Sequence, residues 1–309
     1  MSQPTAVFNR RTVRRHRDRA AATLASHDFL FRDGAERLAD RLQDIKRTFP
    51  LALDLGCHTG QVARALAGRG GVATLVQCDL SPRMAAAAGA AAAGRLKTPA
   101  VAGDEEALPF AAGAFDLVLS NLSLHWVNDL PGALIQIRRA LKPDGLFLAT
   151  LFGGDTVREL RRALAEAEIA EEDGLSPRVS PFCDVRDAGG LLQRAGFALP
   201  VADADTVTVS YGDPMTLMAD LRGMGESNAV ALGRKGFTRR RTLAAATRRY
   251  RELYAGADGR VPATFQIVTL TGWAPDPSQQ KPLQPGSATG RLAQALGAVE
   301  VPLPDKAKP

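Results

Sequence analysis

The stretch Leu51-Ala52-Leu53-Asp54-Leu55-Gly56-Cys57-His58-Thr59-Gly60 constrains this chain more than any other. Its apolar start suits a strand buried in a parallel sheet, and its glycines suit a tight turn. Val62 and Leu66 then recur at helical spacing in residues 61–67. Strand, glycine turn and helix form the corner where doubly wound α/β domains hold a nucleotide, beyond the carboxyl ends of the strands and against a helix N-terminus. Glycine-rich turns also occur where nothing binds, so the corner takes its meaning from the segments after it.

Residues 72–78 read as a second strand ending in Asp79, nineteen residues past Gly60, where a carboxylate can accept both hydroxyls of a ribose. Leu80 comes next, and Ser81-Pro82 reads as the N-cap and first residue of an alanine-rich helix. A third short strand ends at Ala102, before Gly103-Asp104-Glu105-Glu106-Ala107-Leu108-Pro109-Phe110. A fourth, 115–121, closes on Asn121 and leads into Leu122-Ser123-Leu124-His125-Trp126. A helix ending in Leu141-Lys142-Pro143-Asp144-Gly145 and a fifth apolar strand, 146–151, complete the series.

In that order, over about residues 51–151, these segments resemble the class I S-adenosylmethionine-dependent methyltransferases. The resemblance implies an α/β, Rossmann-like fold: a seven-stranded, mostly parallel sheet with helices on both faces and a helical cap. It implies S-adenosyl-L-methionine as cofactor, bordered by Asp54, Gly56, His58, Gly60, Asp79, Leu80, Asp104, Glu105 and Asn121. Gly56 would let the backbone approach the methionine part, Asp79 would hold the ribose, Asp104 and its backbone neighbours would meet the adenine amino group, and Asn121 would border the sulfonium. His58 replaces the central glycine of the family. A ring turned outward would leave the site intact. A ring turned inward would either join the active site or weaken cofactor binding, by roughly 1.5–3 kcal/mol for one lost contact to a charged group.

The length of 309 residues allows one large α/β domain with a cap, and no apolar run approaches the roughly eighteen residues of a spanning helix. Cys57, Cys78 and Cys183 are scattered without Cys-x-x-Cys spacing, which argues for a reducing compartment and against a thiolate metal site. No metal-ligand set is read; His16-Arg17-Asp18 matches two ligands of an iron triad by coincidence. Arg10, Arg11, Arg14, Arg15, Arg17 and Arg19 face only Asp18 in the first nineteen residues. Such an arm is a solvated helix start, a presequence, or a contact for an acidic protein or anionic membrane surface. It carries no aromatic platform, so specific nucleic-acid recognition is not expected. Residues 29–49 read as an amphipathic helix with Leu38, Leu42 and Ile45 on one stripe, placed to cover the cofactor pocket.

Four divisions result: a basic arm and pocket-covering helix (1–50), a cofactor-binding core (51–151), the remaining strands with a cap and substrate region (152–273), and a proline-rich tail expected to be mostly disordered (274–309). Within the third, Asp155 is expected to cap a helix over 157–172, with further helices over 187–195 and about 239–254, and strands over 201–211 and 261–273.

Phe8-Asn9-Arg10-Arg11, Leu124-His125-Trp126-Val127-Asn128-Asp129-Leu130-Pro131, Phe152-Gly153-Gly154-Asp155-Thr156, Ser180-Pro181-Phe182, Asp220-Leu221-Arg222-Gly223-Met224-Gly225-Glu226-Ser227-Asn228 and Val261-Pro262-Ala263-Thr264-Phe265-Gln266-Ile267 bring the resemblance closer. They are similar to the family of complex I assembly factors with a methyltransferase fold, over about residues 8–273. Because that similarity includes the arginine arm, the arm is not expected to be a cleaved presequence. The resemblance implies a bacterial member acting in the cytoplasm, with peripheral contact at the inner membrane open to it. It implies modification, by hydroxylation or methylation, of an arginine in the small iron–sulfur subunit of complex I.

The chemistry is carried by few candidates. His125, just past the fourth strand, suits a general base or a substrate holder; Trp126 can stack on a guanidinium; Glu226 can pair bidentately with an incoming arginine. Each also has a plain packing or surface-turn reading. Two other functions stay open: the malonyl-carrier-protein O-methyltransferase of biotin synthesis, whose acidic carrier would suit a basic chain, and a non-catalytic assembly scaffold.

Overall fold

In the computed structural model the described residues are 6–91, 94, 96–233, 236–280, 287, 290 and 292–299. Those through Pro275 form one unit and those from Asp276 another, which contains a short helix, Leu292–Leu296. Of the tail expected to be disordered, residues 281–286, 288, 289, 291 and 300–309 lie outside the described residues.

Among the described residues seven strands form one sheet: β1 (Leu51–Leu55), β2 (Thr74–Asp79), β3 (Ala100–Ala102), β4 (Phe115–Asn121), β5 (Leu141–Phe152), β6 (Ala198–Tyr211) and β7 (Val261–Trp273). Their order is β3-β2-β1-β4-β5-β7-β6, with β7 antiparallel to both neighbours and the other pairings parallel. The central strands are buried on both faces, as parallel strands flanked by helices must be: Leu53, Leu55, Leu117, Val118, Leu119, Phe147 and Leu148 are all enclosed.

One face is covered by α2 (Phe29–Gln43) and α3 (Gln61–Leu66), which set Leu38, Leu42, Val62 and Leu66 against Leu75, Leu117 and Leu148. On the other face α5 (Leu130–Ala140) and α7 (Val185–Arg194) set Leu134, Ile137 and Leu192 against Leu53, Val118 and Phe147. A third apolar cluster joins α6 (Arg158–Glu172), α8 (Pro214–Met224) and α9 (Arg240–Tyr254) to β7 through Leu160, Leu164, Leu217, Tyr250 and Phe265. This is the cap. Two further helices are α1 (Arg10–Ala20) and α4 (Pro82–Ala90), the latter begun by Ser81, whose side chain accepts from Met84 N–H, with Pro82 in the first turn.

Three local expectations are corrected. The 29–49 helix stops at Gln43, and Phe49 is instead held by its own N–H on the Gly70 carbonyl. The chain is already extended at Leu141, which pairs with Phe115, because Leu141 and Pro143 cannot prolong α5 once β4 offers a partner. Asp155 does not cap α6. Val157, at φ 47°, precedes that helix and gives its N–H to Thr264, so β7 rather than a side chain positions the start.

Gly34 of α2 sits where a Cβ would lie 2.4 Å from Asn121 Oδ1. The missing side chain allows α2 to lie close enough for Asn121 Nδ2 to donate to the Phe31 carbonyl at 2.7 Å. Gly34→Ala should therefore lower stability by about 1–3 kcal/mol through overpacking, read as a lower urea midpoint. An unchanged midpoint would mean that α2 is not held at this distance.

Candidate functional site

The sheet reverses direction of growth between β1 and β4, and α/β folds hold ligands at such a reversal, beyond the carboxyl ends of the strands. Gly56 and Cys57 cross this point with their N–H groups on the Cys78 carbonyl at 2.7 and 3.0 Å. Gly56 has φ 75°, and a Cβ on it would stand 2.0 Å from Ser123 Oγ, so only glycine fits. Gly60, at φ 85°, starts α3. Asp79 ends β2 with Oδ2 accepting from His58 N–H at 3.0 Å and Oδ1 from Ser81 N–H at 2.7 Å. These bonds aim its carboxylate across the corner.

Across the corner lies α1. Its residues Val13, His16, Arg17 and Ala20 are buried, a spacing of i, i+3, i+4 and i+7 on one helical face. Arg17, only 1% exposed, donates from Nη1 to Glu105 Oε1 at 2.8 Å and lies 3.5 Å from Asp79 Oδ1; Nη2 donates to Ser123 Oγ at 2.8 Å. Arg10 pairs with Asp104 and Glu105 and gives Nη1 to the Trp126 carbonyl at 3.2 Å. The arm before α1 is pinned by Phe8 N–H on Asn128 Oδ1 at 2.7 Å and by Asn9 N–H on the Ala229 carbonyl at 2.8 Å. Leu80 packs beneath it with Phe8, Val13 and Trp126. The arm is thus only partly a free basic surface: Arg11, Arg14, Arg15 and Arg19 are exposed, whereas Arg10 and Arg17 are spent inside the corner.

The charges are strongly coupled. Burial alone would raise the Glu105 pKa, but Arg17 and then Arg10 outweigh it and pull it down to about 2. Asp54 is the opposite case. It is fully enclosed, neither carboxylate oxygen has a hydrogen-bond partner among the described residues, and burial, reinforced by Asp79, pushes its pKa well up, which favours the neutral acid.

His58 turns inward, which removes the reading of a ring facing solvent. It has φ 47°, is 1% exposed, sets Nε2 3.0 Å from the Asn121 carbonyl and packs against Phe31 at 4.3 Å between ring centres. Burial, then Arg17, lowers its pKa, so the ring is neutral and donates from Nε2. Asn121 also departs from expectation: its side chain is occupied by the Phe31 carbonyl and by Thr150 Oγ1 at 2.8 Å, so only its backbone carbonyl faces the corner.

Beyond Asn121, a single tight turn carries Leu124, His125 and Trp126. His125 Nε2 and Trp126 Nε1 both lie 2.9 Å from Glu226 Oε2. Glu226 reaches them because α8 ends in a left-handed Gly225 (φ 85°), whose following N–H, that of Glu226, returns to the Leu221 carbonyl at 2.8 Å. Trp126 is 2% exposed and packed edge-on by Phe8 at 5.3 Å, so it orients Glu226 and offers no open face to a guanidinium. Burial opposes the charge on Glu226, but His125 and then Arg17 hold its pKa below the usual carboxylate range. Oε1 has no hydrogen-bond partner among the described residues, and Glu226 lines a cavity of about 590 Å³ with Phe152, Val157, Leu160, Phe182 and Met218. Two-point pairing of an arginine to both oxygens is therefore hindered, since Oε2 is already held by His125 and Trp126.

The sequence placed Gly56, Asp79, Asp104 and Glu105 around one site, the structure brings them to one corner, and His125, Trp126 and Glu226 likewise meet; the sequence reading did not include every residue there. It missed Arg10, Arg17 and Ser123. The available signal was the Val13, His16, Arg17, Ala20 stripe, which places an arginine on the inward face of a helix.

The sheet order and this corner define a protein of the class I methyltransferase fold. Consistent with that, residues 53–149 match the methyltransferase domain family. The human arginine-hydroxylase NDUFAF5, mitochondrial, is 45% identical over 300 residues, covering 96% of this chain and 85% of that protein. A malonyl-[acyl-carrier protein] O-methyltransferase of Methylovorus sp. (strain MP688) is 35% identical over 281 residues, covering 89% and 92%. A phosphoethanolamine N-methyltransferase of Haemonchus contortus, solved with S-adenosylhomocysteine, shares the fold at a TM-score of 0.52 and 18% identity, over 85% of this chain and 60% of that one. The chain belongs to the arginine-hydroxylase NDUFAF5 family.

The depressed Glu105 pKa has a definite pH consequence. Its stabilisation is fully present above the ordinary carboxylate value of 4.5 and is lost as pH falls through about 2. Glu105→Gln leaves Arg17 short of a buried partner and should cost about 3 kcal/mol at neutral pH, while flattening the acid limb of stability in that window. Urea titrations at several pH values test this; a variant with the acid limb of the parent would show that the pair is not coupled to folding.

Proposed function

We propose that this chain is an S-adenosylmethionine-dependent enzyme that modifies an arginine of a protein during assembly of respiratory complex I. The observation that carries the reading is Glu226: a charged carboxylate with one oxygen fixed by His125 and Trp126, lining a cavity large enough for a side chain. A guanidinium entering that cavity gains a charge-assisted hydrogen bond, and the apolar walls suit its methylene stem. The name of the 45% identical relatives, arginine-hydroxylase, supports the same substrate group. The small iron–sulfur subunit of complex I is the target we assign, with the chain acting in the cytoplasm and at the inner membrane surface.

The residues of the corner fit the cofactor. Gly56 has no side chain to obstruct the methionine part, Asp79 points its carboxylate where ribose hydroxyls would lie, and the unpartnered Asp54 suits a cationic neighbour. S-adenosylmethionine supplies a methyl group on a sulfonium when bound; this chain's contribution is to exclude water, orient the acceptor and neutralise charge. His125 donates from Nε2 to Glu226 at 2.9 Å and so holds that carboxylate in place for an incoming guanidinium. Oxygen insertion would need an oxidant from outside the chain.

The malonyl-carrier reading has a specific obstacle. A malonyl group is a carboxylate, and in this cavity, which Arg222 also lines, it would meet the charged Glu226, which repels it. Arg178 lines the same cavity but is bound to Glu168 at 2.8 Å.

Mass spectrometry of the small iron–sulfur subunit from strains with and without this protein tests the assignment. An arginine peptide lighter by one oxygen in the deletion supports hydroxylation, and one lighter by a methylene supports methylation. No difference removes the target. With that substrate, Glu226→Gln keeps the shape but loses the charge, and should raise KM tenfold to a hundredfold, about 1.5–3 kcal/mol, with a smaller effect on kcat. A normal KM would exclude Glu226 as the anchor.

A further inference from the structure

The corner that fits S-adenosylmethionine is held by the chain's own Arg17, and the role inferred for that arginine rests on the cofactor reading of the corner. The groups Arg17 touches come from three strand ends: Asp79 ends β2, Glu105 lies after β3, and Ser123 lies after β4. Ser123 Oγ itself lies 2.0 Å from the point where a Cβ on Gly56 would stand. A guanidinium bridging these groups therefore spans the space in front of Gly56, which the ribose and methionine of the cofactor would have to enter. We propose that Arg17 is a resident counter-cation of the corner that S-adenosylmethionine displaces, so that loading the cofactor and releasing α1 are a single event.

Charge complementarity supports the exchange. Without a cation, Asp79 and Glu105 would be buried like charges beside the already unpartnered Asp54, an arrangement that burial penalises heavily. The cofactor carries a sulfonium, an ammonium and a carboxylate, one net positive charge like the guanidinium, so replacing Arg17 by the cofactor keeps the balance of the enclosed carboxylates. Arg17 cannot leave by losing its proton, since Asp79 and Glu105 raise its pKa further despite burial. It has to move.

The movement reaches the substrate cavity. The neighbour of Arg17 on α1, His16, sets Nδ1 3.2 Å from the Ser227 carbonyl, next to Glu226. On the same helix Asp18 accepts from Ser81 Oγ at 2.6 Å. Shifting Arg17 out of the corner with its helix loosens both contacts, and with them the backbone that presents Glu226. The cofactor corner and the arginine cavity are then linked through α1, and each ligand changes the affinity of the other.

Two measurements on the full-length protein decide the matter. Calorimetric binding of S-adenosylmethionine should be at least about tenfold tighter for Arg17→Ala than for the parent, because the fraction of competent corner rises. Amide exchange of residues 10–20 in the parent protein should speed up when the cofactor saturates it. Weaker or equal binding by Arg17→Ala overturns the proposal, since Arg17 would then be a cofactor ligand or a bystander. So does greater protection of α1 on loading. If the variant does not fold, the exchange measurement on the parent stands alone and decides by its sign. Absence of binding by both proteins overturns the cofactor assignment together with this proposal, whereas binding in the wrong order overturns only the role of Arg17.

Discussion

A guanidinium shut away from water is tolerable only among carboxylates and polar acceptors, and the burial of Arg17 between Glu105, Asp79 and Ser123 governs how this molecule is closed. It fixes the rotation of α1, because only one face of that helix carries Arg17 together with Val13, His16 and Ala20. It keeps Glu105 ionised deep inside the protein. Through Arg10, earlier on the same helix, that carboxylate also draws the preceding arm onto Trp126. An arm whose composition suggests a tether to anionic partners becomes, in its two inward arginines, part of the enclosed machinery.

The carboxylates that hold Arg17 stand where they do because the sheet reverses between β1 and β4. Parallel strands deliver Asp79, Glu105 and Ser123 to one edge, and the turn after β4 carries the line onward to His125 and Trp126, then across to Glu226. The result is a line of buried acidic side chains, with Arg10 and Arg17 paired among them, through an otherwise apolar interior. On the proposed function a sulfonium would meet the carboxylates around Gly56 and a guanidinium would meet Glu226.

Much of this was legible in the residues alone. Strand ends at Asp79 and Ala102 stand where hydrophobic runs give way to acidic residues or glycine, a local signal that tertiary packing does not override. The Ser81-Pro82 start of α4 is equally local. What escaped was set by distance in the chain. Arg17 meets Glu105 across 88 residues, and no periodicity reports such a pairing. His58 turns inward because Phe31 and the Asn121 carbonyl, both remote in sequence, make a place for its ring. Val157 enters α6 from a left-handed conformation because β7 takes its N–H, so the expected Asp155 cap never forms. Trp126 looked like a stacking surface, yet Phe8 from the far end of the chain covers it.

A crystal structure of the protein soaked or grown with S-adenosylmethionine would test the central claim most directly. The account predicts ribose hydroxyls on Asp79, the sulfonium opening toward the Glu226 cavity, and the Arg17 guanidinium withdrawn from Ser123. Arg17 still bridging Glu105 and Ser123, with the ligand absent or bound elsewhere, would contradict it.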